Sequence, residues 1–122
     1  MKLRISISGR AETDLTRQYR WYLENAGLDV AERFLAAFDA TAAKLATHPG
    51  LGGLRNFRAF ELAGIRSFPV VGPFGAHLVF YRTGEATLDI ERIMHGARDL
   101  PRRLLEAQQE LNGGCRGPRG AG

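Results

Sequence analysis

Leu3, Ile5 and Ile7 alternate with Lys2, Arg4 and Ser6. A period of two predicts a strand with one buried face. After Ser8-Gly9 the period lengthens: Ala11, Leu15, Tyr19, Tyr22 and Ala26 recur at helical spacing, with Glu12, Asp14, Arg17 and Arg20 on the other side. Gly27 is a natural stop for this first helix. Asp29, with Glu32 three residues on, forms an Asp variant of the capping box, and Ala31, Phe34, Leu35, Phe38, Ala42 and Leu45 make a second apolar stripe that reaches Thr47. Pro49 disfavours helix at His48, and HPGLGGL reads as a turn-rich exit. So short a link between the two helices predicts an antiparallel hairpin whose apolar face needs a sheet to cover.

Three later segments supply that sheet: Leu62 to Val71, Ala76 to Arg82 and Thr87 to Met94, separated by Gly72-Pro73 and Thr83-Gly84-Glu85. The short links predict an antiparallel meander. Leu88 and Ile90 alternate with Asp89 and Glu91, so the last strand has a buried and a wet face, while Pro69 puts its own strand at an edge or a bulge. Asp99 can cap a short helix starting at Pro101 and docked by Leu104, Leu105 and Leu111. The expected fold class is α+β in the order β-α-α-β-β-β-α. It occupies residues 1–111 as a single domain, followed at 112–122 by a Gly/Arg-rich tail, NGGCRGPRGAG, that is expected to be flexible.

A chain of 122 residues has room for one core. Its net charge of +4 rests on arginine, since Lys2 and Lys44 are the only lysines, and arginine forks suit carboxylates and phosphates. The charge favours an acidic partner without distinguishing a nucleic acid from an acidic protein. The start MKLRISISGRAETDL has no apolar h-region, and no apolar run approaches the roughly 18 residues of a membrane span, so a cytoplasmic protein is expected. Cys115 is the single cysteine, which excludes an intramolecular disulfide and a multi-cysteine zinc site. No second His stands at metal-ligand spacing, and neither metal nor cofactor is expected. Gly52 and Gly53 lack the Lys-Ser/Thr and the preceding strand of a phosphate loop, so they read as a plain loop.

Several fragments together resemble the RelE/ParE superfamily of type II toxin–antitoxin toxins: Ala11-x-x-Asp14-Leu15, Ala31-x-x-Phe34-Leu35 and Leu45-x-x-x-Pro49. Ile65-Arg66-Ser67, His77-Leu78-Val79-Phe80-Tyr81-Arg82 and Ile93-Met94-His95-Gly96-Ala97-Arg98-Asp99 are more similar to ParE members. The likeness runs from about residue 3 to 105. It implies a small toxin neutralised by a cognate antitoxin. For ParE-like members it implies inhibition of DNA gyrase, and for RelE-like members cleavage of messenger RNA on the ribosome. Fold alone cannot choose between these.

Metal-free RNA cleavage needs a base for the 2′-hydroxyl, an acid for the leaving oxygen and cations for the phosphorane-like transition state. Arg66 matches the arginine of a RelE-like strand, and His95 and Arg98 fall where family nucleases keep late catalytic groups. Yet the second helix carries only Arg33 and Lys44 as basic residues, and spacing singles out neither Glu61 nor Glu91 as a base. His95 reads either as an acid or as a strand-end ring ordering the next turn. Arg98 and Asp99 read equally as structural, Arg98 in a local pair and Asp99 as a helix cap, or as surface recognition. Arg66 has no unambiguous face. His77 shares a strand face with Val79 and Tyr81, favouring a partly buried, hydrogen-bonded role, and Tyr81 favours the core with its hydroxyl at the rim. Trp21 leaves the buried stripe beside Arg17 and Arg20, as a partner contact or a cover for the hairpin's end.

The expectation is a non-enzymatic toxin of the gyrase-inhibiting kind. An amphipathic, acidic antitoxin segment would lie on the sheet face away from the helices, against Arg66, Arg82, Arg92, His95 and Arg98. The rival is a ribosome-dependent endoribonuclease using Arg66, His95 and Arg98. A third reading is an inactive antitoxin-binding co-repressor.

Overall fold

The computed structural model describes residues 2–55 and 64–96. Strand β1 (Arg4–Ile7) leads into helices α1 (Gly9–Ala26) and α2 (Leu28–Thr47), a 3-10 turn at Pro49–Leu51 and strand β2 (Gly53–Leu54). Strand β3 (Arg66–Pro69), a 3-10 turn at Gly72–Phe74 and strands β4 (His77–Thr83) and β5 (Thr87–His95) follow. The sheet order is β1-β5-β4-β3-β2. β3, β4 and β5 form the expected antiparallel meander, and β1 joins it in parallel along β5, from Arg4 opposite Thr87 to Ile7 opposite Ile90. The predicted helix from Pro101 and the tail at 112–122 lie outside the described residues, as do residues 62 and 63 of the predicted segment Leu62 to Val71.

Both helices start where the chain is forced to turn. Ser8 caps α1, its Oγ accepting from Ala11 N at 3.0 Å and donating to Glu91 O at 2.9 Å, so one hydroxyl ties helix start to sheet. Gly27 alone joins the helices, at φ 97, a conformation costly for a residue with a Cβ. That tight link moves the start of α2 to Leu28, and the expected cap at Asp29 does not form. Asp29 instead sits in the first turn and pairs with Arg33 at 3.2 Å, both side chains largely in solvent.

The core lies between α2 and the sheet, where Phe34, Phe38 and Leu45 meet Val79, Tyr81, Leu88, Ile90 and Ile93. Thr41, absent from the predicted stripe, is fully buried: its Oγ1 donates to Ala37 O at 2.8 Å and accepts from Val71 N at 3.0 Å, fastening α2 to the segment after β3. Leu3 and Ile7 pack onto this core, but Ile5 remains 37% exposed on the edge strand β1. The glycine stretch read as a loop contains β2, where Gly53 faces Ser67 and Leu54 faces Arg66. Pro69 lies beyond that short partner and pairs only with β4, so its missing N–H breaks no ladder bond.

Candidate functional site

Opposite the bulk of α1, β5 outruns β1. The chain leaves β1 at Ile7, and the remaining edge of β5 is met by the helix that follows. There Tyr81 faces Ile90 while Phe80 faces Arg92, which makes Glu91 an extra residue, a β-bulge. Past the bulge the alternation along β5 reverses, so Ile93 joins the core beneath the helices.

Asp14 closes this edge. Its Oδ2 accepts from Ile93 N at 3.0 Å, as a neighbouring strand's carbonyl would. The same carboxylate takes Arg92 in a two-pronged pair, Nε to Oδ2 at 2.8 Å and Nη2 to Oδ1 at 3.1 Å. Arg17 approaches Asp14 at 3.5 Å from the solvent side. Asp14 is 2% exposed and Arg92 8%. Asp14 therefore leaves the polar face on which the sequence was expected to put it. Arg92, expected to meet an antitoxin or target, turns inward to hold strand and helix together. The bulge sets Arg92 across from Phe80, and its guanidinium reaches Asp14 over the edge of β5 that β1 leaves uncovered. Ala11, Asp14 and Gln18 stand three and four residues apart and are all buried, so a helical stripe that admitted polar residues was present in the sequence.

A second polar cluster pins the segment after α2. The Tyr81 hydroxyl, in a fully buried side chain, donates to Pro49 O at 2.5 Å and accepts from Gly52 N at 2.9 Å. Arg66 Nη1 donates to Gly52 O at 2.6 Å. Burial pushes the Tyr81 phenol above its ordinary value, partly offset by the Gly52 hydrogen bond and by the nearby Arg66 charge. Gly52 has no room for a side chain: a Cβ would lie 2.5 Å from the Tyr81 hydroxyl and 2.8 Å from Ser67 O. The register sets Arg66 opposite Tyr81, on the side of the sheet that faces the helices. Its ambiguous face is thereby decided, and its guanidinium is engaged with the protein's own backbone.

A third cluster sits at the other end of β4. His77 is fully buried, with Nε2 2.8 Å from the Tyr22 hydroxyl and its ring against those of Tyr22 and Phe34. His95 stands edge-on to it at 4.8 Å between ring centroids. His77 is thus an internal hydrogen-bonded residue, more deeply buried than expected.

The structure does not bring Arg66 and His95 together. Arg66 faces Tyr81 and His95 faces His77, four residues apart along β4 and on strands either side of it. With about 3.3 Å per residue and about 4.8 Å between strands, their backbones are roughly 16 Å apart. Arg98 and Glu61 lie outside the described residues. Arg82 keeps 35% of its side chain exposed and pairs with Glu91 at 3.4 Å on the sheet face away from the helices. That face was expected to be open, but its Phe80 and Met94 are each only 1% exposed. Trp21 is 43% exposed, edge-on to Tyr22, and lines a hollow on the outer side of α1 with Arg17 and Arg20.

A helix hairpin over a mixed five-stranded sheet whose meander is completed by the N-terminal strand is the α+β architecture of RelE/ParE-like toxins. Two solved structures share it. The chromosomal ParDE toxin–antitoxin system from P. aeruginosa superposes with a TM-score of 0.61 at 17% identity, covering 77% of this chain and 96% of that one. The toxin–antitoxin complex RelBE2 from Mycobacterium tuberculosis gives 0.56 at 22% identity, covering 78% and 99%. Residues 5–100 match the family model described as ParE toxin of the type II toxin–antitoxin system, parDE, and the chain belongs to that family. Toxin ParE1 of Mycobacterium tuberculosis is 30% identical over 107 residues, 85% of this chain and all of that protein. The protein is a type II toxin–antitoxin toxin. Among the described residues no helix is long and apolar enough to cross a membrane.

Proposed function

We propose that this toxin is neutralised by a cognate antitoxin and acts by binding and inhibiting DNA gyrase, catalysing no reaction itself. The observation that carries the non-enzymatic reading is the separation of Arg66 from His95. One scissile phosphate needs its acid and its cationic clamp within hydrogen-bond reach of adjacent atoms, about 3 Å each. Arg66 is held by Gly52 O, Arg92 is held by Asp14, and a gap of some 16 Å separates the backbones of Arg66 and His95. An antitoxin partner is supported by the two related folds, which come from toxin–antitoxin systems. Arg82 and His95, both partly accessible, remain the proposed contacts for partner and target. Arg66 and Arg92 drop out because the protein uses them internally. Arg98, outside the described residues, keeps its sequence-based assignment to the same surface.

Purified toxin should block gyrase-dependent supercoiling and leave message on translating ribosomes intact. Message cleavage with gyrase unaffected would overturn the proposal, as would a folded His95→Ala variant that loses toxicity together with RNA cleavage. Normal growth at verified soluble expression of the toxin alone would instead identify an antitoxin-binding co-repressor.

A further inference from the structure

Arg55 carries a side-chain donor that the described residues leave unused. It follows β2 directly, and its backbone N–H donates to Ile65 O at 2.9 Å, extending the β2–β3 pairing by one step. Continuing the register puts Arg55, Ile65, Arg82 and Asp89 in one row across the sheet. The row lies on the face away from the helices, where the Arg55 guanidinium carbon rests 5.4 Å from the Phe80 ring centroid. Arg55 Nε is buried, and among the described residues nothing accepts from it. Arg92 and Arg66 show the contrast, each donating to an oxygen of its own chain. A buried donor left without an acceptor is unfavourable, and such groups in native proteins call for an explanation.

We propose that Arg55 anchors a carboxylate of a partner polypeptide, an Asp or Glu flanked by an apolar residue. The inference deepens the antitoxin reading and rests on it. A guanidinium fork matches a carboxylate in two parallel hydrogen bonds, and its seat on Phe80 orients the fork before binding. The surroundings select a polypeptide over a nucleic acid. Leu51 and Leu54, at the same end of the sheet, are 47% and 63% exposed and offer apolar surface that a partner's side chain can cover. Asp89 and Glu91 lie on the same face but on β5, three strands from β2, where they would repel a chain of phosphates crossing the sheet, whereas a single carboxylate held at Arg55 stays clear of them.

The test compares wild-type toxin with Arg55→Met, which keeps the stem over Phe80, and Arg55→Lys, which keeps the charge but not the fork. Each is titrated with purified cognate antitoxin and melted alone. Arg55→Met is expected to weaken the complex about 10- to 100-fold with a Tm within about 2 °C of wild type, and Arg55→Lys to fall between. Wild-type affinity in Arg55→Met overturns the anchor and leaves the antitoxin reading standing. Wild-type toxin that does not bind the antitoxin overturns both. Affinity that falls only in step with Tm in both variants makes Arg55 a packing residue and overturns the anchor. Labelled duplex DNA that binds wild type and is lost in Arg55→Met, with antitoxin binding unchanged, refutes the choice of a polypeptide.

Discussion

Replacing Asp14 with Ala strips one carboxylate from between α1 and β5. Three donors lose their acceptor at once: Arg92 Nε, Arg92 Nη2 and the Ile93 N–H, bonded at 2.8, 3.1 and 3.0 Å. With Arg92 only 8% exposed, water cannot readily take the carboxylate's place. Removing one member of a buried ion pair costs about 3–5 kcal/mol, chiefly because the other charge stays buried. A domain of this size is stable by about 5–15 kcal/mol, so the loss is a large fraction of the whole. At roughly 4 °C per kcal/mol, Tm should fall by roughly 10–20 °C. Thermal melts followed by circular dichroism, with urea midpoints alongside, measure it. Replacing both partners, as Asp14→Leu with Arg92→Met, should recover most of the stability, because the buried charge then disappears with its partner. An Asp14→Ala variant within about 1 kcal/mol of wild type would refute the reasoning and demote the pair to an ordinary surface contact.

Tyr81→Phe deletes the hydroxyl that receives Gly52 N and donates to Pro49 O, and should cost about 1–3 kcal/mol by urea denaturation. The same variant bears on pH dependence. The folded phenol is raised above its unfolded value of 10.0, so the protein should lose stability as pH climbs past about 10, and Tyr81→Phe should lose less over that range. Equal alkaline slopes in the two proteins would count against the assignment. Gly52→Ala places a methyl 2.5 Å from the Tyr81 hydroxyl and should destabilise by about 1–3 kcal/mol, whereas Gly53→Ala, which meets nothing within 4 Å, should melt near wild type. Thr41→Val leaves Val71 N–H without its acceptor and should lower stability by about 1–2 kcal/mol in the same denaturation assay.

Periodicity carried most of the architecture. Alternation at Leu3–Ile7 and Leu88–Ile90, helical spacing at Phe34–Phe38–Leu45 and the glycine at 27 are local signals, and local geometry answers to them directly. The family fragments pointed the same way. What escaped depends on neighbours distant in the chain. Asp14 reads as a solvent residue until β5 outruns β1 and leaves Ile93 N–H needing an acceptor 79 residues away. Arg92 looks available until the end of β1 leaves an edge of β5 over which its guanidinium meets that carboxylate. β2 is too short to carry a period and exists because Tyr81 and Arg66 hold Gly52 against the sheet. Arg66, His95 and Arg92 could be named from one chain as basic groups with chemistry to offer, but whether they converge depends on strand register and sheet order. Those are set by contacts across the core, and a linear pattern of apolar and polar residues does not encode the distance between two of its polar members.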